Sequence, residues 1–186
     1  MIQLFIGGVR SGKSHAAEVK MTEILNIDNS LQPAYIATSL AWGEESKARI
    51  ALHQQKRKAQ FNQDIPTYEL NYQQADLISV LNTLNDAKYV VLIECLSTWV
   101  GWYLSRDQSL EQNLLEFESK QVELLAFLRR SKCSVIIVTG EVGCGLIGET
   151  VLQRRYADRL GELNQKVAEL SDRVSVVTAG IEQVLK

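Results

Sequence analysis

The chain has 186 residues, 46% of them hydrophobic, and a formal net charge of −2. That length suits one α/β domain with a substantial core, and the near-neutral charge excludes a general polyanion-binding surface of the nucleic-acid kind. No window is apolar enough to predict a membrane span, and the N-terminus reads as a strand from its first residues, not as a signal peptide. Cys95, Cys133 and Cys144 are odd in number and share no CxxC spacing. They predict neither a disulfide scaffold nor a zinc site, and they fit a reducing, cytoplasmic setting. Cys95 and Cys133 read as small buried hydrophobes.

Taken in chain order, the first element is a short apolar strand, Leu4 to Ile6. The run Gly7-Gly8-Val9-Arg10-Ser11-Gly12-Lys13-Ser14 follows at once and fits G-x-x-x-x-G-K-S, the phosphate-binding P-loop. The pattern has a mechanical reason. Glycines let backbone N–H groups curl around a polyphosphate, and the next helix, predicted from His15 to Leu25, presents its positive end. Lys13 is placed to reach the β- and γ-phosphates, and the Ser14 hydroxyl to ligate Mg²⁺.

Further strands are predicted at Ala34 to Ala37, introduced by Pro33, and at Tyr89 to Ile93, Val135 to Val138 and Val174 to Val177. These runs are continuous and rich in β-branched residues, as in a parallel sheet covered on both faces. Thr67 to Leu70 is a shorter candidate, and Ile181 to Leu185 either forms a final edge strand or trails off. Helical patterns cover Glu44 to Ala59, Gln73 to Leu84, Leu110 to Arg130 and Glu149 to Leu170. No repeat or linker divides the chain, so residues 1–186 are expected to form a single three-layer α/β domain.

A P-loop alone specifies a nucleotide, not a reaction. Glu94, at the C-terminal tip of the third predicted long strand, is a candidate metal-binding carboxylate, with Ser97 and Thr98 close by. His53 lies in Arg49-Ile50-Ala51-Leu52-His53-Gln54-Gln55-Lys56-Arg57-Lys58. A neutral imidazole there could attack phosphorus, although a lone histidine on a polar helix is more often simply solvated. His15, the other histidine, reads as a helix-surface residue. Thr139-Gly140-Glu141-Val142-Gly143-Cys144-Gly145 forms a glycine-rich loop after a strand, which suits either close ligand approach or an ordinary turn. Trp99, Trp102 and Tyr103 suggest an aromatic patch on one helix, best read as core packing.

These pieces together resemble a known family. The matching residues are the P-loop, Tyr35-Ile36-Ala37-Thr38-Ser39, Ala48-Arg49-Ile50 with His53, Glu94-Cys95-Leu96-Ser97-Thr98-Trp99 and the loop Thr139 to Gly145. Arg155-Tyr156-Ala157-Asp158-Arg159-Leu160-Gly161-Glu162-Leu163-Asn164-Gln165 and Val177-Thr178-Ala179-Gly180 match as well. In family order, over nearly the whole length, they resemble the bifunctional adenosylcobinamide kinase and adenosylcobinamide-phosphate guanylyltransferase enzymes of cobalamin biosynthesis. The resemblance implies a RecA-like P-loop fold, a homotrimer, ATP and GTP as substrates and Mg²⁺ as cofactor. It implies two reactions on a corrinoid: phosphorylation of its aminopropanol hydroxyl, then transfer of GMP from GTP through a histidine–GMP intermediate.

By position, His53 is that histidine and Lys13 its catalytic companion at the phosphates. Ala37, Thr38, Ser39, Gln54, Gln55, Lys56, Arg57, Glu69 and Glu94 match family positions that contact nucleotide. The chain departs from the family pattern at Gly140, where Asn is usual, at Gly148, where Pro is usual, and at Ala157, where Arg is usual. The stretch from His53 to Glu69 is longer than usual and lacks a Trp before Thr67. Two other readings stay open from the residues alone: a simple small-molecule P-loop kinase, and a nucleotide-binding switch. An Asn-Lys-x-Asp guanine signature, which would favour the switch, is absent.

Overall fold

The computed structural model describes residues 1–39, 65–72, 75–145 and 147–186. The strands are β1 (Ile2–Gly7), β2 (Gln32–Ala37), β3 (Thr67–Glu69), β4 (Tyr89–Glu94), β5 (Ser134–Gly140), β6 (Arg173–Thr178) and β7 (Ile181–Val184). The helices are α1 (Lys13–Ile27), α2 (Leu77–Thr83), α3 (Leu96–Leu104), α4 (Leu110–Arg130) and α5 (Val151–Leu170). The expected helix from Glu44 to Ala59 lies outside the described residues.

The strands form one sheet in the order β3-β2-β4-β5-β1-β6-β7, parallel throughout except for β7. Each long strand reads as a continuous apolar run because it buries both faces. In β4, Val91 and Ile93 join the core beneath α2 to α5, while Val90 and Leu92 join a second core beneath α1. In β5 the alternation repeats, with Val135 and Ile137 on one side and Ile136 and Val138 on the other. The period of two places these side chains in opposite layers. The expected three-layer α/β architecture is therefore present.

Several boundaries differ from the sequence expectation, each for a local reason. Pro33 sits inside β2 and does not merely introduce it. It pairs with Val90 on one side, whereas β3 reaches only Tyr35 to Ala37 on the other. At that position β2 is effectively an edge, where a missing N–H is tolerated. The helix expected from Gln73 begins instead at Leu77, because the Asp76 carboxylate caps it by accepting from Ser79 N at 2.8 Å. The preceding Ala75 bridges back to Asn71. α5 starts at Val151, two residues later than expected, behind a reciprocal capping box of Thr150 and Gln153. α4 matches its expected bounds and carries its own box of Ser109 and Gln112. The Ile181 segment is a strand, antiparallel to β6 and exposed along its length.

The aromatic group does core work. Trp99 is fully buried, edge-on to Tyr103 and Phe117 with centroids 5.5 Å and 5.6 Å apart. Trp102 stacks on Tyr72 at 3.9 Å. Cys133 is buried as expected, whereas Cys95 is only half-buried and stands at a strand tip, and Cys144 is exposed.

Candidate active site

In an open parallel sheet the strand tips line the crevice where ligands bind. Register sets the order of the tips here. Glu69, Ala37 and Glu94 form one row across β3, β2 and β4, while Gly7 and Gly140 pair across β1 and β5. β5 thus separates the P-loop strand from the strand that ends in Glu94.

The P-loop runs from Gly7 into α1. Gly12 adopts φ 95, and a Cβ placed there would lie 3.1 Å from the Cα of Gly180. Both facts require glycine. Arg10 also has positive φ, at 56. The turn at Ala179 and Gly180 closes beneath the loop, with Gly180 N donating to Ser11 O at 2.8 Å. α1 has no side-chain cap and no acidic residue in its first turn, so its leading amides face the loop. Lys13 Nζ donates to Gly8 O at 3.0 Å, folded back over the same cradle. Gly8, Val9 and Arg10 are exposed, and Ser11 is buried.

Ser14 and Glu94 meet: the Ser14 hydroxyl donates to Glu94 Oε1 at 2.5 Å. A hydroxyl and a carboxylate that converge beside the P-loop are hard oxygen donors of the kind Mg²⁺ prefers. The residues present therefore fit a magnesium ion. Among the described residues no group of three or more His, Cys, Asp or Glu could hold a metal.

Thr38 follows β2 and is 1% exposed. Its backbone N–H donates to Glu94 O at 2.9 Å. Its hydroxyl accepts from Cys95 N at 2.7 Å and donates to Cys95 O at 2.7 Å, with Thr98 Oγ1 2.5 Å away. Tyr72 OH donates to Thr38 O at 2.7 Å. Burial pushes the Tyr72 phenol well above its ordinary range, with the neighbouring Tyr103 and Cys95 acting the same way. Ala37 and Ser39 flank Thr38 and are half-buried, and Glu69 is exposed at the end of β3.

The loop after β5 is built by its own carboxylate. Glu141 accepts from Gly143 N at 2.8 Å and Cys144 N at 3.1 Å. Partial burial would raise the Glu141 pKa, but these amides outweigh it and hold the carboxyl below its ordinary value. Glu141 N donates to Gly7 O at 3.0 Å, which fastens this loop to the root of the P-loop. Asn164 of α5 accepts from the Thr139 hydroxyl and donates to Gly140 O. Gly140 faces α3 closely: a Cβ there would stand 3.2 Å from the Ser97 Cβ, so a larger residue would require Ser97 to shift. Gly148 O accepts from Arg154 at the start of α5, and Ala157 is half-buried on that helix.

Of the expected site residues, the structure thus brings together the P-loop, Lys13, Ser14 and Glu94, and sets Ala37, Thr38, Ser39 and Glu69 along the same tips. His53, Gln54, Gln55, Lys56 and Arg57 lie outside the described residues. His15 is exposed on α1, as expected. Sequence reasoning missed the part played by Tyr72. No local pattern signals it, since its partner Thr38 is 34 residues away.

A model of the family described as cobinamide kinase / cobinamide phosphate guanyltransferase matches residues 3–185. The chain is 33% identical over 186 residues to the bifunctional adenosylcobalamin biosynthesis protein CobP of Pseudomonas aeruginosa, covering 100% of this chain and 98% of that protein. It is 34% identical over 198 residues to the bifunctional adenosylcobalamin biosynthesis protein CobU of Escherichia coli, with 100% of both chains covered. Among solved structures it resembles a KaiC-like protein from the archaeon Pyrococcus horikoshii, with a TM-score of 0.50 and 12% identity. That match spans 94% of this chain and 69% of the other, and it is a likeness of fold.

Proposed function

This chain belongs to the cobinamide kinase / cobinamide phosphate guanyltransferase family, and from that premise we propose that it carries both activities on one catalytic domain spanning residues 1–186. It phosphorylates adenosylcobinamide with a nucleoside triphosphate and then transfers GMP from GTP to the product, giving adenosylcobinamide-GDP. The observation that supports this most directly is the contact between Ser14 and Glu94 at the mouth of the P-loop.

In the kinase step the corrinoid hydroxyl attacks the γ-phosphorus, its proton leaves, and a nucleoside diphosphate departs. The P-loop amides and Lys13 hold the phosphates and stabilise the charge spread over the transferring group. Ser14 and Glu94 would hold Mg²⁺, which when bound neutralises charge on the phosphate oxygens. In the guanylyl step a ring nitrogen of His53 attacks the α-phosphorus of GTP and pyrophosphate leaves. A phosphate oxygen of adenosylcobinamide phosphate then attacks the phosphoramidate, and the imidazole is released. Gln54, Gln55, Lys56 and Arg57 would bind the nucleotide beside it, with Ala37, Ser39 and Glu69 along the strand tips.

Both the homotrimer and the cytoplasmic setting follow the family resemblance. No helix among the described residues is long and apolar enough to cross a membrane. The deciding experiment is intact-mass and peptide mass spectrometry after incubation with GTP. One added GMP on the peptide containing His53, acid-labile and absent from His53→Ala, is expected. Undiminished labelling in His53→Ala would remove that residue from the mechanism.

A further inference from the structure

We propose that Thr38 is a positioning residue that sets the carboxylate of Glu94 for the metal, acting through the backbone that carries it. The inference rests on Glu94 being a metal ligand, as argued above. Three observations carry it.

The first is saturation. Thr38 is 1% exposed, and its N–H, its carbonyl and its hydroxyl all have partners inside the protein. A hydroxyl has one proton to donate, and Cys95 O at 2.7 Å takes it. The side chain is therefore built to grip its neighbour across the sheet.

The second is the address of those bonds. Thr38 N donates to Glu94 O at 2.9 Å, and the hydroxyl accepts from Cys95 N at 2.7 Å. The two bonds take up the carbonyl and the amide of a single peptide unit, the one joining Glu94 to Cys95. Thr98, one turn into α3, approaches the same hydroxyl at 2.5 Å and donates to Cys95 O at 2.9 Å. The strand tip and the helix start that follow Glu94 are thus tied to one side chain.

The third is what lies at the far end. From the same residue, the Glu94 side chain reaches Ser14 Oγ at 2.5 Å. With the main chain of Glu94 fixed from behind by Thr38 and its carboxylate aimed forward at the P-loop, the ordering of the metal's oxygen donors depends on both. Tyr72 braces the arrangement from outside by donating to Thr38 O at 2.7 Å. Groups that orient a metal ligand in this way typically change metal affinity by about 10–100-fold when removed.

The test separates metal-dependent from metal-independent binding. Calorimetry would measure the affinity for ATP in the presence of Mg²⁺ and in the presence of EDTA. The proteins are the full chain, Thr38→Val, Thr38→Ser, Tyr72→Phe and Glu94→Gln. Thr38→Val keeps the side-chain shape and loses the hydroxyl. Its Mg²⁺-dependent gain in affinity, the ratio of ATP binding in Mg²⁺ to ATP binding in EDTA, is expected to fall about tenfold. Thr38→Ser should restore the gain to within about twofold, because one hydroxyl bond set is rebuilt. Direct titration with Mn²⁺, read by its paramagnetic resonance in the presence of ATP, should show the same order of affinities without any turnover.

Equal losses with and without Mg²⁺ in Thr38→Val would overturn the proposal, since they mark a merely structural residue. So would an unchanged Thr38→Val beside a Glu94→Gln that loses the Mg²⁺ effect, and in that case the metal assignment survives. A Glu94→Gln that keeps the full Mg²⁺ effect overturns the metal assignment and the positioning role together. Should Thr38→Val not fold, Tyr72→Phe tests the same clamp. A threefold loss confined to the Mg²⁺ arm supports it, and no loss in that arm overturns it.

Discussion

Lys13 Nζ donates to the carbonyl of Gly8, five residues back in its own loop. That bond keeps an ammonium beside the loop that leads into the uncapped start of α1, so a point charge stands near the helix's leading amide dipoles. Lys13→Ala removes the point charge and leaves the amides. We expect triphosphate affinity by calorimetry to drop by one to two orders of magnitude, about 1.5–3 kcal/mol, as for a charge-assisted hydrogen bond. Unchanged affinity would remove Lys13 from the phosphate site. At this scale the sequence was most explicit about residues whose function depends on spacing. The G-x-x-x-x-G-K-S run announced Gly12, Lys13 and Ser14, because the loop is local and its geometry follows from eight consecutive residues. Glu94 was legible from its place at a strand end. Thr38 was legible as a family position, but its bonding was not, since each of the Cys95 and Thr98 partners lies at least 57 residues away.

Helix ends carry the next level of control. Asp76 caps α2 through Ser79 N and pairs with Lys120 of α4 at 2.7 Å, so one carboxylate ties two helices. Burial alone would raise its pKa, but the hydrogen bonds from Lys120 and Ser79 prevail and lower it below the ordinary 3.8. The folded form therefore binds this proton less tightly than the unfolded chain. Its contribution to stability is present above pH 3.8 and is lost as pH falls through the lower folded value. Asp76→Ala should cost about 1–2 kcal/mol in urea denaturation at neutral pH. The gap between variant and parent should close as the solution is acidified below pH 4. A gap that stays constant with pH would mean that the carboxylate acts only through shape. The helical pattern alone placed this start at Gln73. Apolar periodicity finds a helix face but not its first turn, which the Asp76 cap decides.

At the scale of the molecule, β1 and β6, far apart in the sequence, meet beneath the P-loop. β1 lies between β5 and β6, and the turn after β6 supplies Gly180, whose amide holds Ser11 O. β6 adds Val174 to one core and Val177 to the other. A chain truncated after Asp172 would lose β6 and β7 together with this support. We expect it to bind ATP at least tenfold more weakly, as the loop loses its preorganisation. We also expect the full chain to unfold in one cooperative transition, with fluorescence and circular dichroism superimposing. Separate transitions by the two probes would argue against one domain over residues 1–186.

Sequence by itself determined the layer architecture and the strand–loop–helix form of the P-loop. Both rest on near-neighbour rules: apolar runs that pair in parallel, helical periodicity between them, and a glycine loop between a strand and a helix. Only the tertiary structure decided that β5 sits between β1 and β4, that Glu94 reaches Ser14, and that Thr38 and Tyr72 lock the strand tip behind it. Those contacts join residues 34 to 80 positions apart. Their geometry comes from strand order and register, which no stretch of neighbouring residues encodes.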